Sequence, residues 1–144
     1  MQFSSAGCST ISLGLETFSD RLLKVINKGT DIKTINSALS NLSWAGIYTL
    51  ASFIVGLPTE TEEEAIKSHR NVIELQKKGL INKTLFNFLV LCPLSEFYKN
   101  PEEYGIFDIK SPEKWDLDGP ISDFKVGGMT RQKAQELASL FNES

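Results

Sequence analysis

The sequence predicts an α/β fold with about three parallel strands and flanking helices. Residues 8–15, 47–55 and 84–91 are rich in apolar and β-branched side chains and are bounded by turn signals, which is typical of buried strands. Amphipathic helical segments separate them. This alternation predicts parallel strands joined by right-handed crossovers. The resulting open slab would suit either a small complete domain or a piece of a larger barrel.

The predicted helices begin after residues that can accept a hydrogen bond from the first turn. These residues are Ser19 for residues 20–27, Thr30 or Asp31 for the helix ending at residue 45, and Thr130 for the helix ending near residue 142. The acidic run at residues 59–64 predicts a helix start with two overlapping capping boxes, Thr59 with Glu62 and Thr61 with Glu64. We prefer this interpretation to a metal-binding acidic cluster.

The C-terminal third differs in composition from the rest. A helical turn is expected at residues 94–99, and residues 100–128 are rich in Pro, Gly and Asp, which predicts a long meandering segment. We therefore divide the chain into residues 1–99, which carry the strands, and an extension at residues 100–144.

Composition argues against several classes of function. The net charge is −3 and no dense Lys/Arg block occurs, so a nucleic-acid partner has little electrostatic support. The longest apolar run, residues 48–57, is too short to cross a bilayer, and residues 1–5 do not resemble a signal peptide. We expect a cytoplasmic protein. Cys8 and Cys92 are expected to be core thiols, and with one histidine they are too few for a zinc site.

Ligands of parallel βα sheets bind beyond the carboxyl ends of the strands. Glu16 leaves the first strand there and could bind a diol or an ammonium group, or it could cap the following helix. Lys28 could hold a ligand carboxylate, or it could simply complement the helix dipole. Gly56 would admit a flat ring close to the backbone, or it could serve the turn before Pro58. The residues leave these alternatives open.

Three stretches together resemble the radical S-adenosylmethionine (radical SAM) superfamily. SLGLETFSDRLLKVINKGTD, residues 12–31, is similar to the region around the fourth barrel strand. SWAGIYTLASFIVGLPTETEEE, residues 43–64, resembles the fifth strand, and LFNFLVLCPLSEFYKNPEEYGIF, residues 85–107, the sixth. The resemblance implies the C-terminal part of a partial TIM-type (β/α)6 barrel. It also implies an iron–sulfur oxidoreductase that cleaves S-adenosylmethionine reductively to a 5′-deoxyadenosyl radical for hydrogen abstraction.

The resemblance also implies which residues contact the cofactor. Glu16 matches a fourth-strand residue that contacts its ribose or aminoacyl part, and Lys28 matches a basic residue that pairs with the methionyl carboxylate. Ser52 matches a polar position near the ribose, and Ile54 and Gly56 match the strand that packs on adenine. Ser52 stands where that motif has its first glycine. Thr59 stands where its acidic residue would be, with Glu60 one place later.

Other family features are missing from this sequence. The CxxxCxxC loop that holds the [4Fe–4S] cluster is absent, so no residue is assigned to catalysis or metal binding. We expect this chain to be inert alone and to bind S-adenosylmethionine weakly or not at all. The resemblance extends to cobalamin-dependent radical enzymes, so it leaves cobalamin open as a further cofactor of the parent enzyme, whose substrate the sequence does not identify. An unpaired strand edge predicts self-association into a homo-oligomer.

Two other readings remain open. The chain could belong to a non-redox TIM-barrel enzyme in which Glu16 is an acid/base and Lys28 binds phosphate or forms a Schiff base. It could also be an α/β interaction module without a ligand, with the acidic helix at residues 62–78 as its contact surface.

Overall fold

Three parallel strands form the centre of the molecule. The computed structural model describes residues 5–109 and 124–144. Its main sheet contains Thr10–Glu16 (β1), Tyr48–Val55 (β2) and Lys83–Phe88 (β3), in the order β1-β2-β3. Both pairings are parallel, as the sequence predicts. The α/β class and the parallel slab of a partial TIM-type barrel are thereby confirmed. The third strand ends at residue 88, three residues before its predicted end.

The helices begin close to their predicted positions. They are Asp20–Val25 (α1), Ile32–Trp44 (α2), Glu62–Lys77 (α3), Glu96–Lys99 (α4) and Arg131–Asn142 (α5). Asp31, not Thr30, caps α2. Only one of the two expected capping boxes forms, between Thr61 and Glu64. The expected box of Thr59 with Glu62 is wrong because Thr59 lies before the helix, with a φ of 65°.

The strands bury one face more deeply than the other. In β2 the residues alternate between buried and half-buried, so Ala51, Phe53 and Val55 enter the core while the residues between them face the opposite side. The core side is covered by helices, among them α2 and α5. The prediction of a buried strand at residues 47–55 is therefore right for one face of β2 and not for the other. The less buried face is open for a ligand or for further chain.

A second apolar cluster covers the carboxyl ends of the strands. Its buried members come from α1, from the segments that follow β2 and β3, and from the C-terminal extension: Leu22, Leu57, Leu89, Leu91, Ile106 and Phe124. Leu89 and Leu91 are buried in this cluster, which explains why the apolar run continues to residue 91 although β3 ends at residue 88. Cys92 follows them and is exposed, while Cys8 is half-buried, so the expectation of two core thiols is wrong.

Part of the C-terminal extension is regular, which corrects the predicted meander. A 3₁₀ helix, Pro101–Tyr104, leads into Ile106–Phe107 (β4), which pairs antiparallel with Lys125–Val126 (β5). Within the predicted meander, residues 110–123 lie outside the described part of the chain. After β5 the backbone nitrogen of Met129 donates a 3.0 Å hydrogen bond to the carbonyl of Glu60. The extension is thus joined to the loop that follows β2.

No helix among residues 5–109 and 124–144 is long and apolar enough to cross a membrane. The division between residues 1–99 and 100–144 stays a prediction.

Candidate functional site

Glu16 and Lys28 form an ion pair at the carboxyl end of β1. Lys28 Nζ lies 3.0 Å from Glu16 Oε1, and both side chains are partly exposed. Glu16 has a φ of 67°, and the register of β1 against β2 shifts between Gly14 and Glu16. Such an irregularity redirects a side chain relative to its strand. The alternative role of Glu16 as a helix cap is wrong, because Ser19 Oγ accepts the first-turn hydrogen bond of α1 from Leu22.

The bare backbone of Gly14 makes room for this pair. A Cβ atom placed on Gly14 would lie 2.6 Å from Glu16 Oε1 and 3.7 Å from Lys28 Nζ. Any larger residue would therefore displace the carboxylate. Gly14 is exposed and lies opposite Ser52 in the neighbouring strand. A carboxylate and an ammonium group thus stand side by side above the open face of the sheet.

Ser52 and Ile54 belong to that same half-buried face of β2. Ser52 Oγ donates a long hydrogen bond, 3.5 Å, to the carbonyl of Leu13 in β1. Ile54 packs against the apolar cluster at the strand ends. The structure brings Ser52 next to the Gly14 backbone under the ion pair. Ile54 lies two residues further along the strand, where the surroundings are apolar.

The structure explains why position 56 is occupied by glycine. Its φ is 83°, and a Cβ atom there would lie 2.7 Å from the Cβ atom of Ala134 in α5. The missing side chain therefore admits the last helix of this chain. The turn interpretation also holds, since a positive φ favours glycine. A contact of Gly56 with adenine stays a prediction.

Glu60 is the most deeply buried carboxyl group among the described residues, with 2% of its surface exposed. Sequence reasoning did not select it as a site residue. Its Oε2 accepts hydrogen bonds from the backbone nitrogens of Gly56 (2.7 Å) and Leu57 (3.1 Å). Burial raises the pKa of Glu60 to about 7, although the two N–H donors act in the opposite direction. The displaced acidic residue of the resemblance, one place after Thr59, was the available signal.

Arg21 contacts the loop that follows β2 from the protein surface. Its Nε and Nη2 atoms donate to the two oxygens of Glu64 at 2.7 and 2.6 Å. Its Nη1 and Nη2 atoms also donate to the hydroxyl and the carbonyl of Thr59, at 2.8 and 2.9 Å. Hydrogen bonding from Arg21 lowers the pKa of the Glu64 carboxyl. The loop after β2 is therefore held by Glu60 inside and by Arg21 outside.

Comparison with known proteins places the chain in a family. The Radical SAM superfamily model matches residues 2–72. The chain belongs to the radical SAM superfamily. The family and the names of its relatives mark the chain as related to enzymes.

Three curated relatives are similar to it. An anaerobic magnesium-protoporphyrin IX monomethyl ester cyclase of Cereibacter sphaeroides is 33% identical over 106 residues, which is 74% of this chain and 17% of the relative. A cyclase of the same name from Rubrivivax gelatinosus is 38% identical over 68 residues, 47% of this chain and 12% of the relative. An uncharacterized methyltransferase of Pyrococcus horikoshii is 40% identical over 58 residues, 40% of this chain and 13% of the relative. The chain thus spans less than a fifth of each relative's length.

The site residues suit one of the family's two cofactors. The Glu16 carboxylate can accept hydrogen bonds from the hydroxyl and ammonium groups of S-adenosylmethionine, and the Lys28 ammonium group can donate to its carboxylate. Both side chains lie over the bare backbone of Gly14. The iron–sulfur cluster does not fit this chain. A cluster needs several thiolates, and the sequence has two cysteines, 84 positions apart. The described residues contain no group of side chains that could hold a metal ion.

Proposed function

We propose that this chain forms part of the S-adenosylmethionine-contacting wall of a radical SAM enzyme, within a longer protein. The Glu16–Lys28 pair over Gly14 is the observation that carries the proposal. The chemistry that S-adenosylmethionine and a [4Fe–4S] cluster supply when bound is reductive formation of a 5′-deoxyadenosyl radical for hydrogen abstraction. The residues of this chain would bind and orient S-adenosylmethionine.

When the ligand binds, Glu16 and Lys28 would give up their contact with each other and bind groups of the ligand instead. The carboxylate of Glu16 accepts hydrogen bonds from ribose hydroxyls or from an ammonium group, and Lys28 donates to the methionyl carboxylate. Partly exposed ion pairs contribute only about 0–1 kcal/mol, so opening this one costs little. In the absence of ligand the pair keeps both side chains above the sheet.

Ser52, Ile54 and Gly56 would complete the wall along β2. Ser52 offers a hydroxyl near Gly14, and its 3.5 Å bond to Leu13 is long enough to be given up for a ligand. Ile54, which is half-buried, offers apolar surface for the adenine ring, while Gly56 would contribute by letting α5 pack behind the end of β2. Glu60 and Arg21 act through the backbone that follows β2 as positioning residues.

Catalysis requires the cluster, for which this chain has no ligands. We therefore propose that the chain alone is inactive and binds S-adenosylmethionine weakly, because the cluster would otherwise hold the methionyl amino and carboxylate groups. The three relatives carry two kinds of name, cyclase and methyltransferase, and neither name determines the reaction of the longer protein. We propose oxidoreductase chemistry for it, and cobalamin stays a prediction from the resemblance.

Calorimetry with S-adenosylmethionine tests the proposal. The longer protein, with its cluster reconstituted anaerobically, should bind the cofactor with a dissociation constant of micromolar order. Glu16→Gln and Lys28→Gln should each weaken binding about tenfold or more. Glu63→Gln and Lys24→Gln, which change exposed residues of α3 and α1, are matched controls. Unchanged affinity in both site variants would exclude this site, and micromolar binding by the 144-residue chain would overturn the proposed weak binding.

A further inference from the structure

Arg131 lies at the same end of the sheet, two strands away from the ion pair. It is the first residue of α5, and its guanidinium carbon is 5.5 Å from the centroid of the Phe88 ring. Phe88 is the last residue of β3. Neighbouring strands are about 4.8 Å apart, so the ends of β1 and β3 are separated by about 10 Å. Arg131 therefore lies outside the Glu16–Lys28 site but at the same edge of the sheet. We call this edge, formed by the carboxyl ends of β1, β2 and β3, the rim.

Arg131 has no carboxylate partner in the described part of the chain. The ion pairs of residues 5–109 and 124–144 leave it out, whereas nearby Lys133 lies 3.5 Å from Glu62 and 3.9 Å from Glu136. Its Nε atom is buried without a hydrogen-bond partner. A partly buried cation without a counter-charge is unfavourable unless another group supplies one.

The surroundings favour an anion. Helix α5 has no acidic residue in its first turn, in contrast to the three glutamates that open α3. The positive end of the α5 dipole therefore adds to the charge of Arg131. The guanidinium carbon of Arg131 lies over the Phe88 ring, and this cation–π contact helps to hold the side chain at the end of β3. The side chains packed beside it, Leu89, Phe124 and Met129, are apolar and buried, so they supply no counter-charge to Arg131.

We propose that Arg131 binds an oxyanion of the substrate, a carboxylate or a phosphate, at the β3 end of the rim. The planar fork suits either group because both can accept two parallel hydrogen bonds. This inference rests on the proposed function, since it assigns the cofactor to the β1 end and the substrate to the β3 end. The enzyme would then act on an anionic substrate.

Probe anions test the site on the 144-residue chain. Benzoate and inorganic phosphate are titrated separately, benzamide serves as the uncharged control, and the side-chain Nε–H signal of Arg131 is followed by NMR. We expect a saturable shift with a millimolar dissociation constant for at least one anion and none for benzamide. Saturation by benzoate alone indicates a carboxylate, and saturation by phosphate alone indicates a phosphate group. No saturable shift with either anion, or an equal shift with benzamide, would overturn the proposal.

Variants separate this site from the cofactor site. Arg131→Gln should weaken anion binding about tenfold or more, measured by calorimetry, while Arg70→Gln, an exposed arginine on α3, should not. Arg131→Lys keeps the charge and should lose part of the affinity, and it also serves if the Gln variant does not fold. Undiminished anion binding in either Arg131 variant contradicts the proposal. In the longer protein, Arg131→Gln should leave S-adenosylmethionine binding unchanged, so a failed cofactor site and a failed anion site give different results.

Discussion

The carboxylate of Glu60 accepts a 2.7 Å hydrogen bond from the backbone nitrogen of Gly56, in the interior of the loop that follows β2. A second bond from Leu57 goes to the same oxygen. The backbone carbonyl of Glu60 in turn accepts from Met129. One buried residue therefore joins the end of the central strand to the C-terminal extension. Because burial raises its pKa to about 7, this junction responds to pH.

Glu60→Gln should flatten the dependence of stability on pH. Between about pH 4.5 and 7 the folded chain holds a proton on Glu60 more readily than the unfolded chain does. The free energy of unfolding contributed by this group therefore falls as pH rises through that window, by at most about 3 kcal/mol. Glutamine keeps an acceptor for both N–H groups and does not titrate. Urea unfolding across the window measures the difference from the wild type.

The exposed Glu63→Gln is the control, and it should keep the wild-type slope. If Glu60→Gln also keeps that slope, Glu60 is not the group that titrates.

Gly56→Ala should destabilise the chain more than a positive φ alone explains. The new methyl group would meet Ala134 at 2.7 Å, so α5 would have to shift, in addition to about 1–2 kcal/mol of backbone strain. Gly79→Ala is the matched control, because Gly79 has a φ of 70° and nothing within 4 Å of the Cβ position. We expect Gly56→Ala to lower the free energy of unfolding by about 1–3 kcal/mol more than the control. Equal losses in chemical denaturation would mean that the contact with α5 is dispensable.

Arg21→Gln should raise the pKa of the Glu64 carboxyl. In the wild type, the hydrogen bonds from Arg21 hold that pKa below its ordinary value. Glutamine removes the charge and the two-pronged contact, so the pKa should return toward 4.5, the ordinary value. NMR titration of the side-chain carboxyl carbons measures the change. Arg70→Gln should leave Glu64 unaffected, and a Glu64 pKa unchanged by Arg21→Gln would show that the pair does not persist in solution.

The edges of the sheet should promote self-association. Within the described part of the chain, β1 and β3 each pair with β2 alone. Unpaired strand edges can add a strand from another molecule. We expect the molar mass of the 144-residue chain in light scattering to rise with concentration. Ser12→Lys, which places a charge on exposed β1, should reduce that rise, and a constant monomer mass would contradict the prediction.

The order of elements could be predicted from the sequence because its causes are local. Apolar runs define the strands, and Ser19, Thr61 and Thr130 cap helices through contacts three residues away. Glu16 and Lys28 could be selected for the same reason, since Glu16 is the last residue of β1 and Lys28 lies three residues after the end of α1. The resemblance then gave them a chemical role.

Only the tertiary structure decided how distant residues meet. The contact of Gly56 with Ala134 joins positions 78 residues apart, and the contact of Arg131 with Phe88 joins positions 43 apart. The burial of Glu60 likewise depends on the return of residues 127–129. No periodicity or capping rule encodes such contacts, because their free energy arises from packing between elements. Sequence therefore determined the strands and the residues at their ends, and packing determined which charges are paired, buried or left without a partner.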